Sequence, residues 1–249
     1  MRRLALLLAL LLAPAPVLAD ALCPADTIAP AKVERASLQS GGRTIPVSVR
    51  LPAGGAKAPA VLLLHGRTGP TFYAQRLDGV ADRLAAAGIA AVTVDYFGAD
   101  VPKDPAVTRE AFQGWLATLD RVVAWTAAHP RIDPARIGIA GFSLGGFLGQ
   151  VQAAGDERIK ALAAYAAGLS ESFPADARRL PPLLLVHADM DPIVSPGDVM
   201  ALEDKAKELG APVEVKSYPV AEHIPTGDTW CDSARVLAAF FERTLIKGP

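Results

Sequence analysis

Along most of the chain, short apolar runs alternate with longer stretches in which apolar residues recur every three to four positions. Val61-Leu62-Leu63-Leu64 is continuously apolar, the pattern of a strand buried on both faces. Residues 89–94, 137–140, 161–166, 183–186 and 213–218 read as further strands, and 43–51 as a strand of alternating polarity. Between them 73–87, 112–129, 144–154, 198–209 and 229–246 read as helices, with Gly88 ending the first and Pro130 the second. Buried strands alternating with helices predict a mostly parallel sheet covered on both faces. No internal repeat and no linker divides it.

The first residues break this pattern. Arg2 and Arg3 precede an apolar core at 4–12, and Val17-Leu18-Ala19 forms a small-residue cleavage site before Asp20. We therefore expect residues 1–19 to be a signal peptide and 20–249 a single exported domain, periplasmic or secreted. Leu22 is too large to precede a lipidated cysteine, and Arg2-Arg3 lacks the flanks of a twin-arginine signal. Hydrophobic residues make up 51% of the chain against 20% charged, which is enough apolar matter for one sizeable core. Lys and Arg number 25 and Asp and Glu 26, so the formal charge of -1 offers no global attraction for nucleic acid or an anionic membrane. No stretch after the leader approaches the ~20 apolar residues of a membrane span. The two cysteines, Cys23 and Cys231, are even in number and suit one disulfide in an oxidising compartment, the alternative being two unrelated buried thiols.

Candidate chemistry centres on Gly141-Phe142-Ser143-Leu144-Gly145, a G-x-S-x-G string that follows a strand and opens a helix. A serine at such a turn sits in strained backbone space, and glycines on either side let strand and helix approach. In open α/β sheets the chemistry collects at the C-terminal ends of the strands, so a base and a carboxylate are sought at other strand ends. Of four histidines, His65 ends a strand and braces a loop, His129 caps a helix, and His187 ends a strand in a packed position. His223, in the loop between the last strand and the last helix, is the candidate base. The loop after 183–186 offers Asp191, stiffened by Pro192 and anchored by Ile193 and Val194, with Asp189 as the alternative. Backbone N–H groups of Leu144 and Arg67 are the candidate oxyanion donors. The histidines do not pair at metal-ligand spacing, and no metal or cofactor is expected.

The order Ser143, Asp191, His223 is that of the α/β-hydrolases, and residues 33–246 resemble the dienelactone hydrolase family within them. The residues that carry the resemblance are His65-Gly66-Arg67-Thr68-Gly69, Val94-Asp95-Tyr96-Phe97-Gly98, Gly141-Phe142-Ser143-Leu144-Gly145-Gly146, Asp191-Pro192-Ile193-Val194 and His223. The resemblance implies an α/β-hydrolase fold of about eight strands without a large cap domain, and hydrolysis of an ester or lactone through an acyl-enzyme. Two positions depart from it: the namesake enzymes carry a cysteine where this chain has Ser143 and a glutamate where it has Gly66. A serine esterase acting on small soluble esters or lactones is the expectation. A serine peptidase or acyltransferase uses the same residues, and a non-catalytic ligand-binding protein of the same fold is the competing class. For the pocket, Arg67 either holds a substrate carboxylate or faces solvent, and Tyr96, Phe97, Phe142 and Trp230 either wall it or pack inside. The segment 167–182 is short and partly polar, so no apolar lid is expected. Oligomeric state is left open.

Overall fold

The computed structural model describes Cys23, residues 26–99 and residues 105–248. The expected signal segment, 1–19, lies outside the described residues. Among the described residues eight strands form one sheet: β1 (Val33–Ser40), β2 (Arg43–Arg50), β3 (Ala58–Leu64), β4 (Ala90–Val94), β5 (Ile132–Phe142), β6 (Ile159–Tyr165), β7 (Leu183–Ala188) and β8 (Val213–Tyr218). Their order is β1-β2-β4-β3-β5-β6-β7-β8. The β1/β2 and β2/β4 pairings are antiparallel, and every pairing from β4 to β8 is parallel. The α-helices among the described residues are α1 (Pro70–Ala86), α2 (Arg109–Ala128), α3 (Leu144–Gly155), α4 (Pro196–Glu208) and α5 (Gly227–Phe241).

The apolar strands divide their side chains between two cores, as a two-residue period requires. Leu62 and Leu64 of β3 join Leu119 and Val122 of α2, Leu148 of α3 and Leu202 of α4 on one face. Val61 and Leu63 face the other way, onto Leu77 and Leu84 of α1 and Leu237 and Phe241 of α5. A leucine or valine held at zero exposure in this way contributes about 1.5–3 kcal/mol. Ten or more such positions therefore fix both the sheet and which helix lies on which side.

The helix α3 starts at residue 144 as expected, whereas α1, α2, α4 and α5 start earlier than hydrophobic periodicity places them, because capping residues, Pro and Gly at a helix start carry no periodicity. Pro70 begins α1 after Gly69, Thr108 caps α2 by accepting the Ala111 N–H, and Ser195 and Asp198 form a reciprocal capping box on α4. The last helix ends at Phe241 and continues as one π-helical stretch, Glu242–Lys247. Among the described residues no helix is long and apolar enough to cross a membrane.

The N-terminal tail is tied down at three points. Cys23 and Cys231 of α5 form a disulfide with their Cα atoms 5.4 Å apart. Asp26 pairs with Arg83 of α1 and with Arg235 of α5, the latter at 3.0 Å. The Ala31 N–H donates to Asp82 of α1 at 3.0 Å. Burial acts to raise the Asp26 carboxyl, but the hydrogen bonds and charges of Arg235 and Arg83 outweigh it and hold the group below the usual carboxylate range.

Candidate active site

The site is assembled from the turns that follow β3, β5, β7 and β8, all at the C-terminal edge of the parallel strands. Ser143 lies between β5 and α3 with φ 51° and ψ -119°, a conformation that L residues rarely adopt. Its own N–H donates to the Tyr165 carbonyl at 2.8 Å, and its carbonyl accepts from the Gly146 and Phe147 N–H groups. The two flanking glycines are required by close approach. A Cβ on Gly141 would stand 2.1 Å from the Gly145 carbonyl oxygen, and one on Gly145 would stand 2.6 Å from the Leu64 and His65 oxygens. The glycines thus let α3 start against β3 and β5, with the serine hydroxyl left outside.

His223 reaches this hydroxyl from the loop after β8. Its Nε2 is 2.9 Å from Ser143 Oγ, and its Nδ1 is 2.8 Å from Asp191 Oδ2. Asp191 follows β7, and its side chain is fully buried. Its other oxygen accepts the Ile193 and Val194 N–H groups at 2.8 and 3.0 Å. The carboxylate is therefore held by its own turn and has one oxygen left for the imidazole. With Asp191 ionised, Nδ1–H donates to it, and Nε2 is left to accept the serine proton. The turn differs from the expected apolar anchor in one respect: Val194 is buried, but Ile193 is 70% exposed and serves the turn through its backbone.

Opposite these lies the loop after β3. The Gly66 carbonyl accepts the Gly69 N–H at 3.1 Å and lies 2.8 Å from His65 Nδ1. Because the peptide is planar and trans, holding the Gly66 carbonyl turns the Arg67 N–H the opposite way. Leu144, the first residue of α3, has no intrahelical acceptor for its own N–H. His65 itself is sealed in. Its ring stacks on Tyr96 at 4.0 Å and 7°, and the Tyr96 hydroxyl donates to the His65 carbonyl at 2.7 Å. Burial, aided by nearby Tyr73 and Asp95, pushes the Tyr96 hydroxyl far above its usual range, so it stays a neutral donor. A Cβ at Gly66 would stand 2.1 Å from the Tyr73 hydroxyl, so this chain fills with Tyr73 the space that a larger side chain at 66 would need. Burial pushes the Tyr73 hydroxyl up to about 12, against the Thr68 hydrogen bond and the Arg76 charge.

A cleft of about 710 Å³ opens beside Ser143. Arg67 lines it, as one of the sequence-derived alternatives required, but the four aromatic candidates do not. Tyr96 and Phe97 pack around His65, and Trp230 is buried with its ring 5.6 Å from that of Phe142. Phe142 and His187 instead line a small second cavity behind Ser143. The aromatic walls of the cleft are Phe112, Phe147 and Phe173. Phe147 was findable from sequence, since it lies one helical turn beyond Ser143 on α3. Gln150, also missed, is fully buried and ties α3 to the loop after β6. Its amide donates to the Gly168 carbonyl at 2.8 Å and its oxygen accepts the Ser170 N–H at 3.0 Å.

The sheet order, the two helical layers and the strand-end site define an α/β-hydrolase fold. The chain belongs to the dienelactone hydrolase family, whose model matches residues 45–227. Three solved structures illustrate the likeness, all below 25% identity and so informative on fold alone. A candidate dienelactone hydrolase from Klebsiella pneumoniae is 22% identical at TM-score 0.68, covering 84% of this chain and 98% of that one. A dienelactone hydrolase-like promiscuous phosphotriesterase from metagenomic libraries is 19% identical at TM-score 0.71, covering 85% and 98%. An esterase from Pyrobaculum calidifontis is 22% identical at TM-score 0.64, covering 85% of each chain. No curated protein matches the sequence. Membership of this family indicates a hydrolase.

Proposed function

We propose that the protein is an exported serine esterase that cleaves carboxylic esters or lactones of small soluble molecules through an acyl-enzyme on Ser143. The observation that carries this reading is the unbroken chain Asp191–His223–Ser143, at 2.8 and 2.9 Å, ending on a serine held in a strained turn. His223 Nε2 takes the hydroxyl proton as Oγ attacks the carbonyl carbon, and Asp191 stabilises the imidazolium that forms. The Leu144 and Arg67 N–H groups receive the developing oxyanion, each donor being worth about 10²–10³ in rate. Collapse of the adduct passes the proton from His223 to the departing alkoxide oxygen. Water then repeats the sequence on the acyl-enzyme and frees the acid. Export accords with the Cys23–Cys231 disulfide, which persists in an oxidising compartment.

A panel of p-nitrophenyl esters, lactones and peptide amides assayed on the mature protein tests the reading. Ester or lactone turnover is expected, reduced by about 10⁶ in kcat in Ser143→Ala and by about 10⁴ in Asp191→Asn. Peptide turnover exceeding ester turnover would assign the same residues to a peptidase. Undiminished ester turnover in Ser143→Ala would remove the serine mechanism.

A further inference from the structure

The space around Ser143 is divided unequally. Ser143, Leu144 and Arg67 line the cleft of about 710 Å³. Ser143 and His223 line the second cavity with Phe142, Tyr165, His187 and Pro225, and this one holds only about 10 Å³. That is room for about one water molecule. If the oxyanion donors are Leu144 and Arg67 and the proton reaches the leaving oxygen from His223, the two spaces serve opposite halves of an ester. The carbonyl oxygen lies at the donors and the alcohol oxygen faces the histidine, so the acid half takes the remaining direction, away from His223, which lines the small cavity and not the cleft. The large space is therefore on the acid side.

The walls of the cleft say what that half is made of. Phe112 of α2, Phe147 of α3 and Phe173 of the loop after β6 line it from three separate elements, beside the polar Gln113, Ser170 and Ser172. Among the described residues, the exposed Arg67 and Arg109 stand against the exposed Glu171 and Asp198, two charges of each sign. A cleft of this volume is in the range that encloses a whole small ligand. An acetyl group would leave most of its apolar lining in water, whereas a ring would cover it and stack on its aromatic walls.

We propose that the preferred substrates are esters whose acid half carries an aromatic ring or an apolar group of that size, joined to a small alcohol. This deepens the serine esterase reading and rests on it. Methyl 3-phenylpropanoate and 2-phenylethyl acetate test it directly, because they are isomers with the same ring and ester group but with the ring on opposite halves. The expected ratio of kcat/KM is about 10-fold or more in favour of methyl 3-phenylpropanoate. Phe173→Ala and Phe147→Ala should each narrow that ratio. Both isomers are assayed on one preparation, so any loss of folded protein lowers both rates and cancels from the ratio. A ratio of one, or one favouring 2-phenylethyl acetate, overturns the proposal, as does a ratio unmoved by both variants. Titration of the same preparation with an organophosphonate separates the two readings. Stoichiometric labelling without the preference overturns the acid-side proposal alone, whereas absence of labelling overturns the serine reading and this proposal with it.

Discussion

At the scale of single residues, the arrangement depends on close approach more than on the identity of the reacting groups. A methyl group on Gly145 would meet two backbone oxygens that belong to the central strand β3 and its loop, so neither can move without shifting the sheet. Gly145→Ala is therefore expected to lose stability by about 1–3 kcal/mol or more and to lose activity with it, as read by denaturant unfolding and by ester turnover. Gln150→Leu keeps the volume of the side chain but leaves the Gly168 carbonyl and the Ser170 N–H buried without their partner. A loss of about 1–3 kcal/mol is expected in thermal unfolding, together with a raised KM, because Ser170 lines the cleft. The grouping of Ser143, Asp191 and His223 was legible in the sequence because each stands after the C-terminal end of a strand, β5, β7 or β8, and the strand-end rule brings such ends together. The cleft phenylalanines were not legible. Phe112 carries the same periodic signal as Leu119 and Val122, which pack wholly inside, so hydrophobicity alone does not separate a pocket wall from a core position. Tyr96 and Trp230 failed in the opposite sense: Tyr96 stands in the turn after β4 and Trp230 in the first turn of α5, but their rings turn inward, onto His65 and Phe142.

At the scale of elements, the apolar strands were legible and the polar ones less so. Strands β3, β4, β6 and β7 are buried along nearly their whole length and read as mostly apolar runs. Strand β1, Val33–Ser40, is one of the two edge strands, with charged and polar side chains through its half-exposed length, and it gives no such run. The start of β5 was also hidden. Its first residues, before the register shift opposite Ala58 and Ala60, include Pro134 and two exposed positions, which interrupt the pattern. Helix caps are the element-scale feature that a substitution checks most simply. Ser195→Ala removes an acceptor for the Asp198 N–H and breaks the capping box on α4. A loss of about 1 kcal/mol is expected in unfolding, with little change in the Asp191–His223 contact, since Asp191 is held by the N–H groups of Ile193 and Val194.

At the scale of the whole molecule, the chain from residue 23 to residue 231 is closed into a single loop, with a sequence separation of 208. In the chain-entropy view, closing a loop of that length is worth on the order of 5 kcal/mol, and removing a native disulfide more commonly costs about 2–5 kcal/mol. Reduction, or Cys23→Ser with Cys231→Ser, is expected to lower the melting temperature by roughly 4–20 °C for a domain of this size. Asp26 adds a pH dependence to the same tail. Its carboxyl is depressed in the folded state, so its contribution is present above the unfolded value of about 3.9 and is lost as pH falls through the lower folded value. Asp26→Asn should flatten that part of the acid unfolding profile. The central claim is larger than any of these: the strained serine, its histidine and its carboxylate form one nucleophilic unit. Treatment of the mature protein with a fluorophosphonate, followed by digestion and mass mapping, tests it most directly. The account predicts one adduct per chain, on the peptide that contains Ser143, and none on Ser143→Ala. An unlabelled wild type, or an adduct that survives in Ser143→Ala, would contradict it.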